Sequence, residues 1–152
     1  VKIWDMLFNY SEYNLKPIGL GARDTLRLEM GFCLYGNELS ENISPLEARL
    51  SKIIAFDTKF IGSKALNKSE IKKELIAFEL VDRGIPRKGY TIVNEKNQEI
   101  GFVSSGTMSP SLSKGIGLGF INRNSNFNDI FVLVRNRKML VKIVKLPFYK
   151  KK

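Results

Sequence analysis

The sequence predicts an α+β chain, with helices and irregular segments over residues 1–70 and a small antiparallel, jelly-roll-like β-barrel over residues 71–152. Three observations carry that prediction. Near the N-terminus apolar residues recur at three- and four-residue spacing, the period of a helix face. From Leu75 onward the pattern changes to period two and short apolar runs of strand length. Turn signals separate those runs at regular intervals, as in small closed sheets. The polar run Asn67-Lys68-Ser69-Glu70-Ile71-Lys72-Lys73 lies where the pattern changes and is the expected domain boundary.

Element by element, Ile3, Leu7 and Tyr10 with Trp4 and Phe8 predict an amphipathic helix over Ile3 to Tyr13, ending before Pro17. A second helix is expected from about Ala22 to Met30, with Gly31 as its stop signal. Gly19 and Gly21 before it fit a tight turn and a close backbone approach to a ligand. Asn37 to Asn42 reads as a loop, Lys52 to Phe56 as a short strand, and Ser63 to Glu74 as a polar helix or an extended connection. Six strands follow: Leu75–Leu80, Tyr90–Val93, Ile100–Ser104, Gly115–Ile121, Ile130–Val134 and Met139–Leu146. Arg135-Asn136-Arg137-Lys138 reads as the hairpin turn between the last two. Gly115, Gly117 and Gly119 alternate on one face without the following helix that a phosphate cradle requires, so they predict a tightly curved barrel strand.

Composition narrows the function. Of 152 residues, 43% are hydrophobic and 26% charged, which suits a globular core with a polar surface. No stretch approaches the roughly 20 apolar residues that span a bilayer, so no membrane partner is expected. The start, Val1-Lys2-Ile3-Trp4-Asp5, has neither a basic leader nor a cleavage site, and its lack of Met fits a segment of a longer protein. One cysteine and no histidine leave no internal disulfide, no histidine-based triad and almost nothing for soft-metal ligation, so no metal site is expected. Cys33, between Phe32 and Leu34, reads as a small buried hydrophobe. A net charge of +10 raises nucleic-acid binding as one reading. The cations are spread, however, and the Lys150-Lys151-Lys152 tail and the Arg135–Lys138 cluster lack the aromatic interleaving of a stacking platform.

The most informative stretch runs from Gly19 to Gly36, where Arg23 and Arg27 stand one helical turn apart. Like charges at that spacing repel by roughly 0.2–0.5 kcal/mol. Two readings follow: an anion clamp, since Arg offers a rigid fork matched to a carboxylate or phosphate, or a solvated face neutralised by Asp24 and Glu29. The hydroxyl-rich runs Ser104-Ser105-Gly106-Thr107 and Ser109-Pro110-Ser111 have no base to activate them. They read as turn and strand-end hydroxyls that satisfy backbone groups.

Six segments, in order, resemble the aminomethyltransferase family, the T-protein of the glycine cleavage system. They are Gly19-Leu20-Gly21-Ala22-Arg23-Asp24 with its continuation to Gly36, Ser44-Pro45-Leu46-Glu47-Ala48, Phe60-Ile61-Gly62 with Lys64-Ala65-Leu66, Gly84 to Tyr90, Ser104 to Leu112, and Lys145-Leu146-Pro147-Phe148-Tyr149. The resemblance covers only the C-terminal portion of a family whose members are more than twice as long. It implies the end of a folate-binding α+β region followed by a β-barrel. It also implies transfer of a methylene unit from the aminomethyl-lipoyl H-protein to tetrahydrofolate, with release of ammonia. The family's catalytic aspartate belongs to the absent portion, so no catalytic residue is assigned in this chain and the fragment alone is expected to be inactive.

By the same resemblance Arg23 and Tyr149 are the candidates for holding the folate carboxylate. Arg27 is expected to pair with Asp24 or Glu47 and brace Arg23, and Arg87 to line the channel of the lipoyl arm. Partners implied are the H-protein and the N-terminal portion of the same protein, with no nucleic acid. The compartment implied is the bacterial cytoplasm or the mitochondrial matrix. An alternative is the folate-binding module of a dimethylglycine- or sarcosine-type flavin-dependent amine oxidase. Two positions depart from the family pattern: Arg49 replaces a common glycine and Lys52 a common tryptophan.

Overall fold

The computed structural model describes residues 1–135 and 137–151, without the side chain of Ser11. Helices α1 (Lys2–Phe8), α2 (Leu20–Glu29) and α3 (Ser63–Lys68) precede strands β1 (Lys73–Leu80), β2 (Thr91–Asn94), β3 (Glu99–Ser109), β4 (Lys114–Asn122), β5 (Ile130–Val134) and β6 (Arg137–Val144). The strands form one closed barrel in the order β1-β4-β3-β2-β5-β6, and every pairing is antiparallel. This is the α+β architecture with a small barrel that the period change at Leu75 predicts. Asn136 of the expected hairpin turn and Lys152 of the basic tail lie outside the described residues.

Four elements differ from expectation: β3 runs past Ser104 to Ser109, β6 already starts at Arg137 within the expected turn, and the first helix and the Lys52–Phe56 segment depart further. The first helix ends at Phe8, and the chain goes on into a single 3-10 turn at Ser11–Tyr13. Asn9, Tyr10 and Ser11 are all middling or poor helix formers, and together they end the helix. The segment expected as a strand at Lys52–Phe56 is a 3-10 turn, Ser51–Ile53, followed by exposed chain. A closed barrel has no free edge for a seventh strand to join, so those apolar residues find no ladder.

β1 carries two cores, one on each face. Ile76, Phe78 and Leu80 point into the barrel with Ile92, Ile100, Val103, Ile121, Ile130, Val132 and Val141. Leu75 and Ala77 point outward, with Ile116, Leu118 and Phe120 of β4, against Leu28 of α2 and Phe148 of the C-terminal tail. This second cluster holds α2 on the outside of the barrel. The glycine stripe of β4 faces inward: a Cβ on Gly117 would lie 2.5 Å from the Phe78 ring, and one on Gly119 2.7 Å from Ile92 Cδ1. Phe78 is the cross-strand partner of Gly117, so the glycines leave room for the largest core side chain. Gly31 ends α2 in the left-handed region at φ 75°, with Leu146 against its Cα.

Candidate ligand-binding face

The two arginines of α2 have opposite surroundings. Arg27 is nearly buried, and all three of its guanidinium nitrogens donate within the protein. Nε donates to Asp24 Oδ1 at 2.8 Å, Nη1 to Phe32 O and to Glu38 Oε2, each at 3.0 Å, and Nη2 to Ser105 Oγ at 2.8 Å. Nη2 also lies 2.6 Å from Asp24 Oδ1. With four acceptor atoms around its guanidinium, two of them carboxylate oxygens, Arg27 is committed within the protein. Arg23 is exposed one turn earlier, and among the described residues it joins no ion pair. The pair is thus one structural arginine and one available arginine.

Arg27 pairs with Asp24, as one of its two expected partners, and with Glu38 in place of Glu47. Glu38 has no exposed surface, and its two oxygens are fully engaged: Oε2 accepts from Arg27 and from the Leu34 N–H at 3.0 Å, and Oε1 from Ser104 Oγ at 2.6 Å. A buried carboxylate this well satisfied is tolerable only with its cation beside it. Glu47 instead closes a capping box with Ser44 and accepts from the Lys72 and Lys73 N–H groups, tying the Ser44–Leu50 turns to the start of β1. Sequence reasoning misses Glu38 because its partner lies eleven residues away across a loop; the one signal is that two arginines need a counter-charge.

The serine run serves side chains more than backbone, which corrects the turn and strand-end reading. Ser104 and Ser105 lie inside β3, where the ladder to β4 skips from Val103↔Gly119 to Ser105↔Leu118. This bulge places two consecutive hydroxyls on the same side, Ser104 toward Glu38 and Ser105 toward Arg27 and Asn37. Further along, Ser109 Oγ and Ser111 Oγ donate to the buried Glu29 carboxylate, which also accepts the Ser111 N–H at 3.1 Å. Burial pushes the Glu29 carboxyl up, but the hydrogen bonds from Ser109 and Ser111 outweigh it and leave its pKa below the ordinary value of 4.5.

Tyr149 is partly exposed, and its backbone N–H donates to Glu29 O at 3.0 Å. The tail therefore runs beside the C-terminal end of α2, about 9 Å along the helix from Arg23 at 1.5 Å per residue. Arg87 lies elsewhere, in the turn between β1 and β2. With Arg83, Arg135, Arg137 and Lys138 it lines a cavity of about 520 Å³ at one end of the barrel, where Asp82 is the lone acid. Its neighbour Lys88 turns toward α2 and donates to Gly36 O and Asn37 Oδ1, each at 2.7 Å.

Cys33 is half-buried rather than fully buried, at the wall of a largely apolar cavity of about 510 Å³. Burial raises its pKa, and the Glu38 charge raises it further against the opposing pull of Arg27. The thiol stays protonated and unreactive at neutral pH. The two departures also have places. Arg49 sits at φ 59°, in the left-handed region that explains a glycine there, and its side chain pairs with Glu74. Lys52 is exposed in the 3-10 turn. Among the described residues no group of three or more His, Cys, Asp or Glu side chains could hold a metal.

Residues 73–150, just over half of the chain, match the family profile described as the glycine cleavage T-protein C-terminal barrel domain. The chain belongs to the glycine cleavage T-protein family. Residues 1–58 match the family's GCVT N-terminal domain. An aminomethyltransferase of Flavobacterium psychrophilum is 49% identical over 155 residues, covering 98% of this chain and 43% of the relative. One from Phocaeicola vulgatus is 53% identical over 156 residues, covering 97% and 43%. The crystal structure of the glycine cleavage system aminomethyltransferase T from Bartonella henselae superimposes with a TM-score of 0.80 at 25% identity, over 97% of this chain and 43% of that one. This T-protein-family chain spans less than half the length of the relatives it matches.

Proposed function

We propose that this chain supplies the C-terminal part of an aminomethyltransferase of the glycine cleavage system. The complete protein would pass a methylene unit from the aminomethyl-lipoyl H-protein to tetrahydrofolate and release ammonia. The observation that carries the reading is the contrast on α2. Arg23 stands exposed and, among the described residues, outside any ion pair, at the arginine of the family's Gly-Leu-Gly-Ala-Arg-Asp segment, one turn before an Arg27 held by Asp24, Glu38 and Ser105.

In this reading Arg23 presents a planar two-donor fork to a carboxylate of the folate glutamate tail. Tyr149, brought beside α2 by its backbone bond to Glu29, flanks the same tail. Arg87 and the cations around the barrel-end cavity face the lipoyl carrier, where positive potential speeds encounter with an acidic partner. The folate supplies the one-carbon chemistry, and this chain's part is to bind and orient. The acid residue of the family lies in the absent N-terminal portion, so the 152-residue chain alone is inactive. We place the domain boundary at residues 70/71, and the protein in the cytoplasm of a bacterium, in keeping with its bacterial relatives.

The test joins this chain to the N-terminal portion of the Flavobacterium psychrophilum relative and follows tetrahydrofolate-dependent ammonia release. Arg23→Ala is expected to raise the KM for tetrahydrofolate by about 10–100-fold, the range for one lost charged hydrogen-bond pair of about 1.5–3 kcal/mol. An unchanged KM would remove Arg23 from the site.

A further inference from the structure

We propose that Ser105 is a positioning residue for this transfer, an inference that rests on the reading of Arg23 and Arg87 given above. Its hydroxyl is the hub of a continuous polar strut between the helix that carries Arg23 and the turn that carries Arg87. On one side Ser105 Oγ accepts from Arg27 Nη2 at 2.8 Å, one turn along α2 from Arg23. On the other it accepts from Asn37 Nδ2 at 3.1 Å. Asn37 Oδ1 in turn accepts from Lys88 Nζ at 2.7 Å, and Lys88 is the chain neighbour of Arg87. The same ammonium donates to Gly36 O, so the loop is gripped at two consecutive residues.

Three features argue that this is more than incidental packing. Ser105 is 3% exposed, and in the interior of a strand between Leu118 and α2 a small apolar side chain would fill the space without needing any partner. The strut has a charged donor at each end, and hydrogen bonds to ionised groups are about twice as strong as neutral ones. It also joins the two elements that carry Arg23 and Arg87, through their neighbours Arg27 and Lys88. Transfer between two separately bound substrates is sensitive to their relative placement, and a misplacement of about 1 Å costs on the order of 100-fold in rate. Ser105 and Lys88 touch no substrate themselves; they act through Arg27 and the 36–37 loop.

The experiment uses the same joined, full-length protein. Ser105→Ala is expected to lower kcat about tenfold while leaving KM for tetrahydrofolate and for the carrier within about twofold. Lys88→Met acts in the same direction, Lys88→Arg restores at least about half the rate, and Ser105→Ala with Lys88→Met is no slower than the slower single variant. A lowered melting temperature with unchanged kcat, or a double variant in which the two losses multiply, overturns the strut. Backbone amide exchange gives a readout independent of turnover. In Ser105→Ala, exchange at residues 34–38 is expected to quicken at least about threefold, since Asn37 loses its acceptor, and exchange at 87–90 to quicken less, through the Lys88–Asn37 bond. Unaltered exchange at 87–90 overturns the inference on its own. Inactivity of the unmutated joined protein counts instead against the transferase reading, and leaves the exchange result to decide the strut.

Discussion

The barrel and the segment that precedes it treat their apolar residues in opposite ways. In β1–β6, among the described residues, every large aliphatic or aromatic side chain except Ile143 is buried or half-buried. Before the barrel, Trp4, Leu7, Tyr10, Leu20, Leu26 and Met30 are each more than two-fifths exposed, and Leu20 reaches 84%. Such a concentration of exposed apolar surface is unusual for a complete unit and marks a face meant for another surface. The difference teaches where this polypeptide is self-sufficient: the barrel closes on itself, whereas residues 1–70 hold α2 against it and leave the remaining sides bare. The absent N-terminal portion of the proposed transferase is the natural cover, since the matched relatives are more than twice this length.

The comparison can be broken most severely from within the barrel. Phe78→Ala removes the ring that fills the glycine stripe of β4 and is expected to cost about 3–5 kcal/mol in urea denaturation. A loss under about 1 kcal/mol would mean the inner core is not the barrel's main support. Next in size is the junction between the two regions: Glu38→Ala takes from Arg27 the buried one of its two carboxylates and leaves only the half-exposed Asp24, for an expected loss of about 1–3 kcal/mol. Here the α2 amides should lose protection before those of β5 and β6, whereas uniform loss would mean the two regions unfold as one.

Acid provides a gentler separation. Because the folded pKa of Glu29 is depressed, its hydrogen bonds to Ser109 and Ser111 contribute stability above the unfolded value near 4.5. That contribution is lost as pH falls through the lower, folded value. Stability of the α2 junction should therefore fall more steeply below about pH 4.5 than in Glu29→Gln, which lacks this titration. Equal slopes for the two proteins would show that Glu29 does not drive the acid response. The smallest effect is expected on the open face. Leu26→Ser should change the stability of this chain by no more than about 0.5 kcal/mol, as for ordinary surface positions. The same change should weaken association with a separately supplied N-terminal portion, measured by calorimetry. Unaltered association would place the cover elsewhere.

The contrast between regions also governs how much could be read in advance. The strands were legible because a barrel wall imposes alternation on each of them, and the break near Leu75 stands out against the helical spacing before it. The family was legible from six short segments whose order, more than any one of them, was specific. Lys52–Phe56 was misread because apolar and β-branched composition speaks of burial, and in this segment nothing is present to bury it. The distinction between Arg23 and Arg27 came from the resemblance alone and not from the local sequence. Both have the same chemistry and the same helix, and what separates them is Glu38 and Ser105, delivered by a loop and a strand distant in sequence. Ser104 and Ser105 were read as turn and strand-end hydroxyls because nothing local signals a bulge or the run of β3 on to Ser109.

That bulge also acts as a reset of parity. Before it, the even-numbered Phe102 packs outside the barrel and the odd-numbered Val103 inside. After it, the odd-numbered Ser105, Thr107 and Ser109 take the outward positions opposite Leu118, Ile116 and Lys114. Side chains alternate strictly along a strand, so one extra residue inverts the assignment of every position beyond it. Removing Ser104 would mend the ladder and leave Ser105 and Ser109 opposite Leu118 and Lys114, at the loss of the one hydroxyl that donates to Glu38 Oε1. The one extra residue thus sets a second hydroxyl beside Ser105 on the outer face, and so supplies Glu38 with its partner without taking Ser109 from Glu29.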